Sequence, residues 1–143
     1  MSHGSEVLKR EAWDWLKPVQ LIHLATWDGQ MPRVRPVSLI FAEERFWVAT
    51  GTREAKAVQI AGNPAFEFSL TLQGEGSSGT FRGSGLARIV EDIEEKRLIA
   101  AKIPFFGEYW ESPEQESFCL IELGVSEVEF MRPHEMMAVK FRV

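Results

Sequence analysis

The stretch VQLIHLATWDGQMPRVRPVSLIF, residues 19–41, decides the fold of this chain of 143 residues. It contains two largely apolar runs, 19–26 and 33–41, in which β-branched residues recur. Between them lies the pair Asp28-Gly29, and an Asp-Gly between two such runs is a strong signal for a β-hairpin. The stretch therefore predicts two antiparallel strands, and the remaining elements are placed outward from them.

Short apolar segments after this hairpin continue the β pattern. The further segments with strand character are 46–50, 64–72, 80–91, 118–130 and 138–143. Helical periodicity marks 6–16, 52–62 with Thr52 as its N-cap, and 92–102 with Asp92 as its N-cap. Gly83 and Gly85 on one face of a strand predict a sharp bend or a close approach. Six or seven short strands and about three flanking helices favour a mainly β (α+β) antiparallel barrel over a doubly wound sheet.

Length and composition narrow the class of protein. Residues 1–143 fit a single domain, because domains commonly hold about 100–150 residues and the chain has no linker-like run. A net charge of −5 argues against nucleic acid as a partner, and the lack of a long apolar run argues against a membrane. A polar N-terminus and one cysteine predict a cytoplasmic protein. The histidines lack metal-ligand spacing, so no metal is expected, and His23 is expected in the core.

The segment 32–56 carries the clearest chemical signal. It holds five basic and three acidic residues in a chain that is acidic overall. Arg33 and Arg35 are two apart in a strand and share a face. Thr50-Gly51-Thr52 leads into a helix, whose free N–H groups suit a phosphate, and Lys56 follows one turn later. These cations predict a phosphate monoester site. The alternative interpretation is that Arg33 and Arg35 are solvated charges on an edge strand and that Thr52 is an ordinary helix cap.

Several motifs, taken in order, resemble the pyridoxamine 5′-phosphate oxidase-like split-barrel flavoproteins over roughly residues 15–130. The matching motifs are Leu24-Ala25-Thr26, Arg33-Val34-Arg35-Pro36-Val37, Thr50-Gly51-Thr52 with Lys56, Asn63-Pro64, and Gly85-Leu86-Ala87 running on to Asp92. The resemblance implies a split β-barrel that binds flavin mononucleotide (FMN). It also implies a homodimer with the flavin sites at the interface, and exposed Trp and Phe side chains would favour the same association.

The resemblance also assigns roles to individual residues. Arg35 is expected at the flavin phosphate or ribityl chain, with Arg33 as a helper on the same face. The backbone of Pro36-Val37-Ser38 is expected at the isoalloxazine edge. The phosphate is expected near Thr50, Gly51, Thr52 and Lys56. Thr80 is expected to reach the flavin from the partner subunit, and Trp110, in the partner's 105–110 loop, is expected to cover a substrate pocket.

The implied function is an FMN-dependent oxidoreductase acting on a small molecule that the sequence does not identify. Two departures separate the chain from the vitamin B6 oxidase itself. Glu54-Ala55 stands where a polar pair such as Ser-Arg often precedes the lysine, and residues 140–143 lack the substrate-recognition tail. Two alternatives stay open: a non-catalytic flavin- or haem-binding module in stress response or sensing, and a deazaflavin-dependent reductase.

Overall fold

The computed structural model describes residues 3–143. The elements in chain order are α1 (His3–Trp13), β1 (Val19–Trp27), β2 (Pro32–Ala42), β3 (Arg45–Gly51), α2 (Ala55–Gly62), β4 (Ala65–Gln73), β5 (Ser78–Ile89), α3 (Ile93–Ala100), a short 3-10 turn (Phe106–Glu108), β6 (Phe118–Met131) and β7 (Val139–Arg142). The strands pair antiparallel in the order β3-β2-β1-β4-β5-β6-β7, and pairing of β3 with β6 closes six of them into a barrel. This confirms the predicted mainly β split barrel.

The β1–β2 hairpin is held by the side chain of Asp28. Gly29 adopts a φ of +101° in the turn, a region that favours glycine. One Asp28 carboxylate oxygen accepts the N–H groups of Gln30 and Met31 at 2.8 and 2.9 Å. The other accepts Nε of Arg33 at 2.6 Å. The hairpin signal is therefore confirmed, and one of the arginines expected near a phosphate is paired with a carboxylate.

These bonds predict an unusually acidic Asp28. The N–H of Met31 and then the guanidinium of Arg33 lower the pKa of Asp28 from 3.8 to about 2. Because the folded-state pKa is depressed, the stabilisation is present above the ordinary value and is lost as pH falls toward about 2. A carboxyl-carbon NMR titration should give a midpoint near 2 for this residue. A midpoint close to 3.8 would contradict the bonding pattern.

The apolar residues form two clusters on opposite sides of the strands. The first fills the barrel, and its fully buried members include Ile22, Leu24, Leu39, Phe81 and Phe130. The second lies outside β2, β3 and β6, beneath α3 and the segment that follows it, and includes Ile40, Trp47, Ile99, Trp110 and Phe118. The second cluster fixes the aromatic segment 105–110 against the barrel wall, which positions it for the site described below.

His23 does not lie in the core, so that expectation was wrong. Ile22 and Leu24 are buried, and the intervening His23 is exposed. Side chains alternate between the two faces of a strand, so inward positions at 22 and 24 place 23 on the outer face.

Charged side chains attach α3 to the barrel. Asp92 caps the helix by accepting the N–H of Glu95 at 3.2 Å, as the sequence predicted. Glu95 then bonds Arg88 of β5, and Glu122 of β6 bonds both Arg88 and Arg45. Burial opposes ionisation of Glu122, but bonds from the two arginines lower its pKa overall. In the described chain, no helix is long and apolar enough to cross a bilayer.

Candidate functional site

The barrel opens where β2 and β3 separate. In the described chain these strands pair only between Ile40–Ala42 and Arg45–Trp47. The same register would next join Leu39 to Val48 and then Ser38 to Ala49, but these pairs do not form, while β3 continues along β6 with Thr50 opposite Cys119. A gap therefore forms between residues 36–38 and 49–51.

A cavity of about 590 Å³ occupies this gap. Its lining residues are Leu21, Pro36, Val37, Ser38, Ala49, Thr50, Gly51, Glu54, Lys56, Phe105, Tyr109, Trp110 and Ser117. Seven of the residues singled out from the sequence are thus brought together: Pro36, Val37, Ser38, Thr50, Gly51, Lys56 and Trp110. The volume suits a ligand of cofactor size, since such sites usually measure about 300–1,000 Å³.

Backbone groups of β2 face this cavity because β3 has left them. The N–H of Phe41 donates to the carbonyl of Pro18 on the β1 side at 3.0 Å. Since peptide groups alternate in direction along a strand, Val37 faces β1 and Ser38 faces the gap. Pro36 also faces the gap. Because proline has no backbone N–H, it leaves no donor unpaired at this strand edge. Of the three predicted backbone contributors, Ser38 is therefore the one whose N–H is directed toward the cavity.

One wall of the cavity is aromatic and belongs to the same chain. Phe105, Tyr109 and Trp110 line it, and the ring of Trp110 packs 5.0 Å from that of Phe118 in the second cluster. The sequence analysis assigned Trp110 to a pocket formed with the partner's loop. The structure places the chain's own loop against its own cavity, because α3 returns the chain to the outer face of β6, and a contribution from a partner's loop stays a prediction.

The cationic side of the cavity is provided by Lys56, in the first turn of α2. Within residues 3–143, Lys56 makes no hydrogen bond or ion pair. The charge of Lys56 also acts on the thiol of Cys119. Burial raises the pKa of this thiol, and the ammonium groups of Lys96 and Lys56 partly oppose the rise. Cys119 is a buried core residue, as expected. The cavity thus combines an uncommitted cation with the hydroxyl-bearing residues Ser38 and Thr50.

The start of α2 differs from the prediction. The helix begins at Ala55, and its N-cap is Glu54, which makes no side-chain capping bond. Thr52, the predicted cap, donates its hydroxyl to the carbonyl of Glu116 at 2.6 Å. It lines a neighbouring cavity of about 580 Å³ that also contains Arg53. The predicted cap failed because a bond to a residue 64 positions away replaced it.

The two strand arginines do not join Lys56 in the cavity lining. Arg33 is paired with Asp28. Arg35 donates to the hydroxyl of Thr26 at 2.7 Å and to the side-chain oxygen of Gln59 at 2.8 Å. Burial lowers the pKa of Arg35. The structure therefore does not show the expected gathering of hairpin and helix cations around one point.

Thr80 lies on the far side of the barrel from the chain's own gap. It pairs with Thr71 of β4 and Met131 of β6. The expected contact of Thr80 with the flavin of a partner subunit stays a prediction.

Glu54 and Ser117 are site residues whose place the sequence did not reveal. Both line the two neighbouring cavities, together with Gly51. Glu54 was noted only as a departure from the family pattern. The pairing of β3 with β6 brings Ser117 to the site, and no local sequence motif predicts this pairing.

Comparisons with known proteins agree with this architecture. A family model described as pyridoxamine 5′-phosphate oxidase matches residues 8–132, which confirms the resemblance noted from the sequence. A search of curated proteins gives no match.

Solved structures with low sequence identity show the same fold. A NimC/NimA family protein from Clostridium acetobutylicum is 21% identical, with a TM-score of 0.73 over 94% of this chain and 92% of that chain. General Stress Protein 26 from Bacillus anthracis is 19% identical, with a TM-score of 0.70 over 95% and 98%. A haem-binding protein from Mycobacterium smegmatis is 14% identical, with a TM-score of 0.78 over 99% of this chain and 59% of that chain.

Proposed function

Since the chain belongs to the pyridoxamine 5′-phosphate oxidase family, we propose that it binds FMN in the cavity between β2 and β3. We further propose that it is an oxidoreductase acting on a small molecule. Bound flavin would supply two-electron redox chemistry, while the protein supplies position, electrostatics and a wall against solvent.

The observation that carries this proposal is the composition of the gap. Ser38 and Lys56 line one cavity together with the aromatic residues Phe105, Tyr109 and Trp110. A flavin phosphate needs a cation, and the polar edge of its ring needs hydrogen-bond donors. Flat aromatic side chains suit the ring itself. The donor set therefore fits the phosphate, the polar edge and the apolar face of FMN.

A titration of the purified chain with FMN tests the proposal. Trp110 lies in the cavity wall, so bound flavin should quench tryptophan fluorescence in a saturable manner. Riboflavin, which lacks the phosphate, should bind at least about 10-fold more weakly, as expected from loss of a charge-assisted bond. Absence of saturable FMN binding would overturn the proposal. A Soret band in the purified protein would favour the haem-binding alternative.

Glu54 should weaken phosphate binding. Its carboxylate lines the same cavity as Lys56 and carries the same sign of charge as the phosphate. We expect Glu54→Gln to tighten FMN binding by roughly 2- to 5-fold, because the group is exposed and its repulsion is screened by water. Glu91→Gln, at an exposed position outside the cavity lining, is the control. Equal or weaker FMN affinity in Glu54→Gln would contradict the repulsion.

We also propose that the protein is a homodimer. The outer face of β2, β1 and β5 exposes large apolar side chains: Leu21, Val34 and Leu86 are 61%, 65% and 65% exposed. Leu21 and Val34 lie on the paired strands β1 and β2, and Leu86 lies on β5, which β4 separates from β1. Exposed apolar side chains grouped on one side of a sheet commonly mark an interface. Leu21 also lines the cavity, so a dimer on this face would place the partner beside the flavin site.

A charge at the centre of this face should dissociate the dimer. We expect Val34→Asp to shift the protein to monomer in sedimentation velocity, because a carboxylate would lose its water on association. FMN affinity should fall with it if the partner completes the site. Leu98→Asp, on α3, changes another half-exposed apolar residue and should leave the oligomeric state unchanged. A wild-type chain that sediments as a monomer would refute the dimer.

A further inference from the structure

We propose that Arg35 is a positioning residue, which ties α2 to the barrel through Gln59 and thereby fixes the ammonium group of Lys56 at the cavity. The inference rests on the proposed FMN site. It assigns Arg35 a role different from direct contact with the phosphate, which the family resemblance implied.

The contacts of Arg35 form a closed cluster at the end of the barrel. One terminal nitrogen donates to Thr26 Oγ1 at 2.7 Å and to the carbonyl of Leu24 at 3.3 Å. The other donates to Gln59 Oε1 at 2.8 Å. Thr26 donates its own hydroxyl to the same Gln59 oxygen at 2.5 Å. Two neighbouring strands and α2 are therefore joined by one guanidinium group.

Gln59 transmits this attachment to the cavity. It lies three residues after Lys56, so the two side chains occupy neighbouring positions on one face of α2. A displacement or rotation of the helix would therefore move both side chains together.

The helix has few other directional anchors. It is eight residues long, and its N-cap Glu54 makes no side-chain bond to the first turn. Such short helices are marginal in isolation. Ala57 and Ile60 bury its inner face, but apolar packing is non-directional and does not fix rotation as a hydrogen bond does. The bond from Arg35 to Gln59 supplies that direction.

The chemistry of the cluster explains why arginine is used. Its acceptors are a hydroxyl, an amide oxygen and a carbonyl, and no carboxylate among residues 3–143 pairs with it. Arginine presents donors in a fixed planar fork, which suits two acceptors on separate elements. The guanidinium group of Arg35 therefore donates only to uncharged acceptors within residues 3–143.

A double-mutant cycle on full-length protein tests the inference, with Arg35→Met, Gln59→Met and the double variant titrated with FMN and with riboflavin. We expect each single change to weaken FMN binding by roughly 3- to 30-fold, the range of couplings transmitted through packed networks. Riboflavin affinity should be unchanged, since the effect is exerted through Lys56. The double variant should bind FMN no more weakly than the worse single variant.

Each alternative outcome identifies what has failed. Weakened FMN binding in Arg35→Met with no change in Gln59→Met would show direct contact with phosphate and overturn the positioning role. Equal losses of FMN and riboflavin affinity would show a general structural defect and also overturn it. Wild-type FMN affinity in Arg35→Met overturns this inference alone, whereas failure of the wild-type chain to bind FMN overturns the proposed function as well. Arg97→Met, paired with Glu94 and Glu114 on α3, controls for loss of an arginine.

Discussion

Gly85→Ala should destabilise the protein by roughly 3 kcal/mol or more, a large part of the stability of a typical domain. A Cβ atom at this position would overlap the carbonyl oxygen of Gly124 and lie 3.1 Å from the backbone nitrogen of Ser126. These are backbone atoms, so no side-chain rotation relieves the clash. The two strands would have to separate at the irregularity that follows Ser84, where the register of β5 and β6 shifts.

Urea denaturation followed by circular dichroism measures this effect. The midpoint for Gly85→Ala should fall well below that of the wild type, with a similar slope if the change acts on the folded state. Gly107→Ala is the matched control, because nothing lies within 4 Å of a Cβ atom there. It should alter stability by less than about 0.5 kcal/mol. Equal midpoints for the two variants would show that β5 and β6 are not so closely apposed.

The strand pattern was predictable because it depends on local alternation. A strand with one face in the core places apolar residues at every second position, and this period is visible in the sequence alone. The small residues at Gly83 and Gly85 were likewise identified as points of close approach. The sequence did not reveal what approaches them: Gly83 meets the ring of Phe68, whereas Gly85 meets backbone.

The errors arose where a distant residue overrides a local preference. Thr52 has the chemistry of a helix cap, but its hydroxyl bonds Glu116. The contacts of Arg35 with Thr26 and Gln59 were likewise not predictable from local sequence, and its expected contact with a flavin stays a prediction. The position of His23 was an avoidable error, since the alternation of β1 places it outside.

The cavity itself depends on the point at which the pairing of β2 with β3 ends. Residues 46 and 47 pair with both β2 and β6, whereas residues 48–51 pair with β6 alone, and nothing local in the sequence predicts this difference. The motifs identified the residues on each side of the gap, but not the gap. Long-range pairing of this kind is the part of a β fold that sequence patterns specify least directly.

Lys56→Ala should weaken FMN binding by roughly 10- to 100-fold, the range expected for loss of a hydrogen bond to a charged group. The ammonium group makes no bond with the described residues and lines the cavity between β2 and β3. It is therefore available to a phosphate without first breaking an ion pair. The part of the cavity proposed to hold the flavin ring, which includes Ser38 and Trp110, is left intact by the substitution.

Comparison of two ligands separates this electrostatic role from a change in shape. Riboflavin should bind Lys56→Ala within about twofold of the wild type, because it lacks the phosphate that the lysine would neutralise. The FMN affinity of the wild type should also fall more steeply with salt than that of the variant, since screening acts on the charge that the variant has lost. Lys102→Ala, whose ammonium group pairs with Glu43 outside the cavity, should match the wild type with both ligands. If Lys56→Ala weakens riboflavin and FMN equally, the lysine shapes the cavity and the phosphate lies elsewhere.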